Sequence, residues 1–572
     1  MFVMRMLLAI GLTALSSAYA LPPADPVVGY TRNGSYLGFH VPQPSSEVFL
    51  GIPYAHARRL RIADSLNETW TGAHNATRYG LTCPGWGDQN DWGWPIGEDC
   101  LNIDIARPVG TTPDQRLPVM VWIYGGGFYQ GAIRDPMMNL GYMVQTSTQI
   151  DMPVLVVSVN SRLAGYGYLN SEETVREGIA NLGLRDLWKA LEWIQENIEG
   201  FGGDTSRVTI WGESSGGLSV ELLAQAYSGQ NSGLFHAGII SSVTAYSPFM
   251  GTMKQQQGYF DSVSESTGCN SSIEMIDCLR NLPLQQYNAS LYAANSGTDF
   301  RPVIDGDFLK NSPSSQFSHQ QMAPVALLLG ANSDEGLTTF INSANTSEEL
   351  VELVQEKFAL NASTSEEIVA LYADLDTLPP YSQSLDVDWV AQAQAAGFEA
   401  GNWSRVGYAI GGDWSAISGR RKTAQRWNEG SGQPVYSYRF DTDPWRFPIH
   451  PESSGLGLGF AQHGSDLCFE FRIPYAPYTP YLPIQNVTAM HHVSYALQAT
   501  WISFASTKDP NHHGLDWIPH WPEYTTSRQN FVYNATLSNT LNLHVEEDSW
   551  RESQIQWWID RWDWLLTQAK GF

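Results

Sequence analysis

The chain has 572 residues, of which 43% are hydrophobic and only 16% are charged, and its formal net charge at pH 7 is −26. This composition is typical of a folded globular protein and excludes an intrinsically disordered chain. The negative charge repels nucleic acid and anionic membrane surfaces, so we expect neither as a partner.

The first twenty residues have the pattern of a secretory signal peptide. Arg5 supplies a basic n-region, an apolar stretch runs from Leu7 to Leu15, and Ala18-Tyr19-Ala20 is a small-x-small cleavage site. We therefore expect residues 1–20 to be removed and residues 21–572 to form the mature, secreted protein. No later apolar run is long enough to span a membrane, and we expect no lipid anchor, hence no stable membrane anchor.

Sequons for N-linked glycans agree with secretion, because glycosylation belongs to the secretory route and marks surface loops. Some sequons arise by chance, so we expect most but not all of the following to carry glycans: Asn33, Asn67, Asn75, Asn270, Asn288, Asn345, Asn361, Asn402, Asn486 and Asn534.

The five cysteines also fit an oxidising compartment. Several pairings are open, and proximity along the chain favours Cys83 with Cys100 and Cys269 with Cys278. Cys468 then stays unpaired, as a small buried apolar residue.

No Pro/Gly/Ser linker, low-complexity tract or repeat divides residues 21–572, so we expect one domain. From residue 117 onward, apolar runs alternate with helical stretches. Continuous apolar runs predict strands buried on both faces of a sheet. These runs cover residues 118–124, 153–159, 208–211, 236–242 and 324–330.

Helical patterns lie between and after these strands. Residues 180–199 place leucine and isoleucine at spacings of three and four, which predicts an amphipathic helix. Residues 346–430 are predicted to form a helical cap or flank, residues 435–440 a further strand and residues 493–506 a closing helix. The alternation predicts an α/β fold, with a large, mostly parallel central sheet covered by helices on both faces.

The sequence Gly212-Glu213-Ser214-Ser215-Gly216 follows the predicted strand at 208–211. A G-x-S-x-G sequence in this place predicts a nucleophile elbow, a strained strand-to-helix turn that exposes the serine at the top of a sheet. Glycine is needed on both sides of the serine because the turn leaves no room for side chains there. The same five-residue pattern also occurs by chance in loops, so the prediction depends on partners for Ser214.

A serine nucleophile needs a histidine to accept its proton and a carboxylate to orient that histidine. Asp334 and Glu335 both follow the predicted strand 324–330, where the working residues of α/β sheets lie, although either also fits a solvated loop acid. Of the 13 histidines, His463 lies in a loop bracketed by glycines between strand-like and apolar segments. The chain order Ser214, acid, His463 is that of α/β-hydrolases.

Three consecutive glycines, Gly125, Gly126 and Gly127, follow the predicted strand 118–124. They fit a flexible turn. They also fit a loop whose backbone N–H groups approach a substrate oxygen because no side chain intervenes. The place of this loop, after an early strand and before the elbow, favours an oxyanion hole.

These motifs resemble the type-B carboxylesterase/lipase family, which includes the cholinesterases, and in style the chain is closest to secreted fungal carboxylesterases. The similarity runs through most of the mature chain and includes residues 98–101, 124–128, 181–186, 201–216, 302–306, 334–336, 463, 509–511 and 521–522.

The resemblance implies that Ser214, Glu335 and His463 form a catalytic triad, with Glu335 rather than Asp334 as the acid. It also implies that the oxyanion amides belong to Gly126, Gly127 and Ser215. Many members of the family have alanine at position 215, so the Ser215 hydroxyl is a departure for which the sequence gives no use.

The resemblance further implies the same two disulfides, Cys83–Cys100 and Cys269–Cys278. Only residues 84–99 lie between the first two cysteines, which looks too short for the mobile flap of fungal lipases. Trp86, Trp92 and Trp94 in this loop either line the mouth of a gorge, where one binds a choline head by cation–π contact, or simply pack the loop.

The sequence thus predicts a secreted serine esterase that hydrolyses a small-molecule carboxylic ester through an acyl-enzyme, without metal or cofactor. Glu213 either tunes the electrostatics of the site or makes a structural hydrogen bond. Because His463 must be neutral to act as a base, we expect activity to fall on acidification through an apparent pKa near or below that of free imidazole.

Other functions stay open. A triacylglycerol lipase or a cholinesterase-like esterase uses the same triad, although the short loop counts against a lipase. A non-catalytic adhesion or binding homologue is the alternative from another class, and the complete set Ser214, Glu335 and His463 counts against it.

Overall fold

A computed structural model describes residues 26–87, 92–336, 340, 342–373, 390–391, 394, 400–442, 461–472, 488–536 and 539–568. The predicted signal peptide at residues 1–20 and the sequon at Asn486 lie outside the described residues, as does part of the predicted helical flank.

Strands β1 to β16 follow one another along the chain. Their bounds are β1 Val28–Tyr30, β2 Ser35–Leu37, β3 Phe39–Pro42, β4 Ser45–Pro53, β5 Ala55–His56, β6 Asp64–Ser65, β7 Ala73–Asn75, β8 Asn102–Arg107, β9 Leu117–Ile123, β10 Leu155–Val159, β11 Gly203–Glu213, β12 Ala237–Ser241, β13 Ala326–Asn332, β14 Val435–Phe440, β15 Gln529–Tyr533 and β16 His544–Glu547.

The largest sheet has eleven strands in the order β16-β15-β14-β13-β12-β11-β9-β10-β8-β4-β3. Neighbouring strands from β15 to β10 run parallel, and the pairings at the two edges are antiparallel. The central strands β9, β10, β12, β13 and β14 are buried throughout, as are residues 208–213 of β11, because helices cover both faces. The α/β prediction is confirmed, and the antiparallel edges are an addition to it.

The helices occupy the connections between strands. The α-helical bounds are Gly141–Gln149, Ala164–Tyr168, Glu172–Arg176, Leu182–Asn197, Ser215–Gly229, Met253–Thr267, Met275–Arg280, Leu284–Asn295, Pro313–Ser318, Ser347–Phe358, Ala362–Leu371, Ser404–Gly412, Ser418–Ser431, Leu467–Glu470, Thr488–Thr507, Tyr524–Ser527 and Glu552–Gln568. Short 3-10 turns cover Pro113–Gln115, Ile198–Phe201 and Cys269–Ser271, and a π-helical turn covers Asp413–Ile417. Among the described residues, none of these helices combines the length and the apolar composition needed to cross a membrane.

The predicted helical flank lies between β13 and β14. Its helices bury a small core of their own, in which Leu350, Val354 and Ile410 pack with Trp558 of the C-terminal helix. A buried ion pair between Arg551 and Asp413, with Nη2 and Oδ1 2.7 Å apart, ties the C-terminal segment to this flank.

Two disulfides join Cys83 to Cys100 and Cys269 to Cys278, and the unpaired Cys468 is buried. This is the pattern that proximity along the chain and the family resemblance both favour.

The sequons differ in exposure. Asn67, Asn75, Asn270, Asn345, Asn361 and Asn402 are exposed and Asn288 is partly exposed. Asn33 and Asn534 are buried instead. Asn33 Nδ2 donates to the carbonyls of Leu66 and Glu68, and Asn534 Nδ2 donates to the main chain and the carboxylate of Asp441. The expectation of a surface position therefore fails at these two sites, because their amide hydrogens are used to hold neighbouring segments.

Candidate active site

Ser214 lies at the sharp turn between β11 and the helix Ser215–Gly229. Its φ of 57° and ψ of −124° are strained values for a residue with a side chain. The turn is held by a hydrogen bond from the Ser214 N–H to the carbonyl of Ser241, at the end of the neighbouring strand β12. A strained strand-to-helix turn is thus present where the G-x-S-x-G pattern predicts a nucleophile elbow.

The glycines on either side of Ser214 are required by close backbone contacts. A Cβ atom at Gly216 would lie 2.1 Å from the carbonyl oxygen of Ile123, and one at Gly212 would lie 2.5 Å from the carbonyl carbon of Gly216. No side chain fits at such distances. Glycine therefore allows the elbow to sit directly on the end of strand β9.

His463 joins Ser214 to Glu335. Its Nε2 lies 2.9 Å from Ser214 Oγ, and its Nδ1 lies 2.6 Å from Glu335 Oε2. The loop of His463 reaches this position because Asp334 N–H donates to the carbonyl of Ala461 and a short β-bridge joins Asp334 to Gln462. The turn after β13 thus carries both the acid and the attachment point of the histidine loop.

The structure places Glu335, and not Asp334, beside the histidine. Asp334 is buried too, but burial and the nearby carboxylate of Asp441 raise its pKa well above the ordinary value for an aspartate. The sequence pattern alone did not distinguish these two acids; the family resemblance assigned Glu335.

Asn332 holds the Glu335 carboxylate and was not identified from the sequence. Its main-chain N–H and its Nδ2 lie 2.7 and 3.3 Å from Glu335 Oε1, and the same Nδ2 lies 3.1 Å from Oδ1 of the buried Asp466. Burial raises the pKa of Glu335, but His463 together with hydrogen bonds from Ser242 and Asn332 lowers it by more. Glu335 is therefore ionised at neutral pH and suited to stabilise a positive charge on His463.

Glu213, the residue before Ser214, approaches the same histidine. Its Oε1 lies 3.3 Å from His463 Nε2, and its side chain is buried. Burial raises the pKa of Glu213 to about 8, although the positive charge of His463 acts in the opposite direction. Glu213 is therefore part of the electrostatic environment of the histidine, as one of the two sequence interpretations has it.

The pKa of His463 is shifted upward. Burial lowers it, but the carboxylates of Glu213 and Glu335 raise it by more. This upward direction runs against the expectation of an apparent pKa near or below that of free imidazole, which a pH profile of activity tests. The sequence did not reveal that two carboxylates converge on one imidazole.

The glycine loop packs against the elbow. A Cβ atom at Gly125 would lie 2.6 Å from Glu213 Oε2, and Gly126 and Gly127 have φ values of 96° and 63° that only glycine adopts easily. The carbonyl of Gly126 accepts hydrogen bonds from the N–H groups of Tyr129 and Gln130, at 3.1 Å each. The loop is therefore a tightly held turn and not a flexible one.

The proposed oxyanion amides are available for a ligand. Within the part of the chain that the structure describes, the N–H groups of Gly126, Gly127 and Ser215 have no hydrogen-bond acceptor. Loop and elbow lie together, since Phe128 N–H is 3.2 Å from Ser215 Oγ. Such N–H groups can stabilise a negative oxygen.

The tryptophans between Cys83 and Cys100 make packing contacts with the protein itself. The Trp94 ring lies 5.0 Å from that of Trp92 and 5.6 Å from the guanidinium of Arg134. Trp86 packs over Gly297, where a Cβ atom would lie 2.3 Å from its ring. These contacts favour the packing interpretation over a choline-binding one for Trp86 and Trp94.

Comparison with known proteins agrees with this geometry. The model of the carboxylesterase family matches residues 25–558. Lipase 4 of Diutina rugosa is 29% identical over 96% of this chain and 97% of its own length. Secreted lipase 1 of Botryotinia fuckeliana (strain B05.10) is 31% identical over 79% of this chain and 76% of its own length. The bile salt-activated lipase of Rattus norvegicus is 29% identical over 95% of this chain and 85% of its own length.

The family match spans nearly the whole described chain, and the relatives named above are all called lipases. None of the relatives named above has the name of a non-catalytic binding protein, which is the alternative from another class. The chain belongs to the carboxylesterase family and is a carboxylic ester hydrolase.

Proposed function

We propose that this protein is a secreted serine esterase that works through a Ser214-His463-Glu335 triad and an acyl-enzyme. The observation that carries the proposal is the unbroken hydrogen-bond chain from Ser214 Oγ through His463 to Glu335, with distances of 2.9 and 2.6 Å. These distances are those of a nucleophile in contact with its base, and of a base in contact with the group that orients it.

In the first step, Ser214 Oγ attacks the ester carbonyl carbon while His463 Nε2 takes the hydroxyl proton. The carbonyl oxygen becomes negative, and the N–H groups of Gly126, Gly127 and Ser215 stabilise it. The C–O bond to the alcohol then breaks, and His463 returns the proton to the leaving oxygen. The acyl group remains on Ser214.

In the second step, water takes the place of the alcohol. His463 removes a proton from the water as its oxygen attacks the acyl carbon, and then protonates Ser214 Oγ as the acid leaves. Glu335 holds the Nδ1 hydrogen of His463 throughout and stabilises the transient imidazolium. Each oxyanion donor contributes on the order of a hundredfold in rate or more.

Substitution of Ser214 tests this proposal directly. Ser214→Ala should abolish turnover of short-chain nitrophenyl esters. Ser264→Ala is the matched control, because Ser264 is buried in the helix Met253–Thr267 and its hydroxyl donates to a local carbonyl, that of Asp261. Retained turnover in Ser214→Ala would refute the proposed nucleophile.

Secretion is supported by the signal-like pattern of residues 1–20 and by several relatives whose names include the word secreted. We expect expression of the full chain in a eukaryotic host to release the protein into the medium, with Leu21 as its first residue. Protein that stays in the cell, or that keeps its first twenty residues, would contradict secretion.

A triacylglycerol lipase is the second candidate, and the printed names of the relatives favour it. The short connection between Cys83 and Cys100 favours esters in solution instead, because little chain is available for a flap. Rates measured against ester concentration through the solubility limit separate the two. A jump where an emulsion forms indicates a lipase, and saturation below that limit indicates an esterase.

A further inference from the structure

Phe128, the residue after the glycine loop, is held at both ends of its backbone. Its N–H lies 3.2 Å from Ser215 Oγ, and its carbonyl accepts a hydrogen bond from the N–H of Ala164 at 2.7 Å. Its φ of 67° is unfavourable for a residue with a side chain, and its buried ring meets Tyr168 edge-on. Phe128 therefore keeps a strained conformation only because its surroundings fix it.

The peptide between Gly127 and Phe128 has two side chains as partners. Ser215 Oγ accepts its N–H, and Arg301 Nη1 lies 3.5 Å from its carbonyl oxygen. The Arg301 contact is at the outer limit of a hydrogen bond, so the Ser215 hydroxyl is the closer of the two. Glycine peptides rotate at little cost, and this plane needs such an external partner to stay in one orientation.

The hydroxyl that holds this peptide belongs to the residue whose own N–H is one of the three proposed oxyanion donors. The other two donors, Gly126 and Gly127, lie on the loop that ends at Phe128. The Ser215 side chain thus connects the two separate backbone segments that meet at the oxyanion.

We propose that the Ser215 hydroxyl is a positioning group that holds the glycine loop in a fixed position relative to the Ser215 amide. The inference rests on the oxyanion hole of the proposed function. It gives a use to the hydroxyl for which the sequence alone gives none. The proposed role is preorganisation: donors that are already in place cost no reorganisation when the oxyanion forms.

Ser215→Ala tests the inference, because it removes the hydroxyl and leaves the amide. We expect kcat for a short-chain nitrophenyl ester to fall by roughly three- to tenfold, the effect of one ordinary hydrogen bond, while KM changes by less than about twofold. A loss confined to kcat is the mark of an interaction that matters in the transition state.

Inhibitor binding adds a readout that a purely structural role would not change. A trifluoromethyl ketone accepts Ser214 Oγ at its carbonyl carbon, the serine proton passes to His463, and the carbonyl oxygen becomes an oxyanion. Its inhibition constant should rise in Ser215→Ala by the same factor by which kcat/KM falls. The inhibition constant of the matching methyl ketone, which forms little of this adduct, should stay the same.

Ser219→Ala is the matched control. Ser219 is buried in the same helix one turn later, and its hydroxyl donates to the Ser215 carbonyl at 2.7 Å. This variant loses a hydroxyl and a hydrogen bond of the helix without touching the glycine loop. We expect its kcat and its trifluoromethyl ketone affinity to stay within about twofold of the wild type, since a helix-internal bond does not position an oxyanion donor.

Ser215→Ala with unchanged kcat and unchanged trifluoromethyl ketone affinity would overturn the inference. So would a loss no larger than that of Ser219→Ala, or a rise in KM at constant kcat. Ser214→Ala measured in parallel separates this from the proposed function. If Ser214→Ala still turns over ester, the proposed function fails; if it is inactive and Ser215→Ala behaves like wild type, only the positioning role fails.

Discussion

Glu213 Oε1 lies 3.3 Å from Nε2 of His463, the same nitrogen that faces Ser214 Oγ at 2.9 Å. The buried carboxyl group of Glu213, whose pKa is raised to about 8, thus stands beside the atom that accepts the serine proton. In its ionised form it stabilises the imidazolium once the proton has moved, and it also makes an imidazolium present before the reaction harder to deprotonate. With Glu335 on Nδ1, the ring lies between two acids.

Glu213→Gln should therefore shift the pH dependence of activity. Only the neutral imidazole is a base, so activity rises with pH through the pKa of His463, and the carboxylates place that pKa above its ordinary value. Removal of one carboxylate should move the acid limb of kcat/KM to lower pH by roughly one unit. Its position is read from a kcat/KM profile of both proteins.

Glu221→Gln is the control for this profile. Glu221 is also a buried glutamate near the elbow, but its carboxylate bonds to Ala245 and Gln225. Its removal should leave the acid limb where it is. An acid limb that Glu213→Gln leaves in place or moves to higher pH would show that Glu213 does not raise the pKa of His463.

Asn332→Ala should slow catalysis because it removes a hydrogen-bond donor from the Glu335 carboxylate. The substitution removes the Nδ2 group that contacts both Glu335 and Asp466, and so leaves two buried carboxylates with fewer donors. Loss of a hydrogen bond to a charged group predicts a fall in kcat of about tenfold or more. The measurement is kcat at a pH above the acid limb, where His463 is neutral.

Asn342→Ala provides the comparison for Asn332→Ala. Asn342 is equally buried, but it lies in the helical flank, where its Nδ2 bonds to the carbonyls of Phe340 and Ser404. It should lower the melting temperature with little effect on kcat. Equal losses of kcat in the two variants would mean that Asn332 acts only through general stability.

Gly216→Ala should prevent formation of the active elbow. The added Cβ would lie 2.1 Å from the carbonyl oxygen of Ile123 and 2.8 Å from that of Tyr124, and backbone atoms such as these cannot move aside as a flexible side chain can. Gly258→Ala is the control, because Gly258 lies in the helix Met253–Thr267 with open space around it. We expect no active folded protein from the first and unchanged or slightly higher stability from the second, by up to about 1 kcal/mol. An active Gly216→Ala enzyme would contradict the elbow geometry.

Asp548 should be a major contributor to stability. It is buried and accepts hydrogen bonds from Arg420, Arg421 and Tyr524, and these arginines hold its pKa far below the ordinary value despite burial. Asp548→Asn leaves two buried guanidinium groups poorly partnered and should lower the free energy of unfolding by about 3–5 kcal/mol. Urea unfolding at neutral pH measures this loss.

The Asp548 carboxylate also makes the free energy of unfolding depend on pH, in a direction that can be predicted. A carboxylate with a depressed pKa in the folded state contributes stability that is fully present above its unfolded pKa of about 4 and is lost as pH falls further. The difference in unfolding free energy between wild type and Asp548→Asn should therefore shrink below about pH 4. A difference that is constant with pH would contradict an ionised Asp548.

The centre of the fold could be predicted from the sequence because burial on both faces produces continuous apolar runs. The runs at 118–124 and 324–330 correspond to β9 Leu117–Ile123 and β13 Ala326–Asn332, within two residues at each end. The edge strands were not predicted, since a strand such as β3 Phe39–Pro42 alternates between partly buried and exposed residues and is short.

The candidate site, too, could be predicted from the sequence only in part. Ser214 and His463 could be predicted because glycines lie close to each of them in the sequence and mark the turns in which they stand. The contacts of Asn332 with Asp466 and of the Ser215 hydroxyl with Phe128 join residues distant in the chain, and a single sequence does not record such contacts. The upward pKa shift of His463 was missed for the same reason, because it depends on the spatial approach of Glu213 and Glu335.

The most direct test of the proposed mechanism is to trap the nucleophile. The protein is incubated with an organophosphate that carries a good leaving group, digested, and examined by mass spectrometry. The proposed mechanism predicts one phosphoryl adduct, on Ser214, that forms far more slowly in His463→Ala and is absent in Ser214→Ala. An active enzyme that carries the adduct on another residue, or that stays unlabelled at full inhibitor exposure, would contradict it.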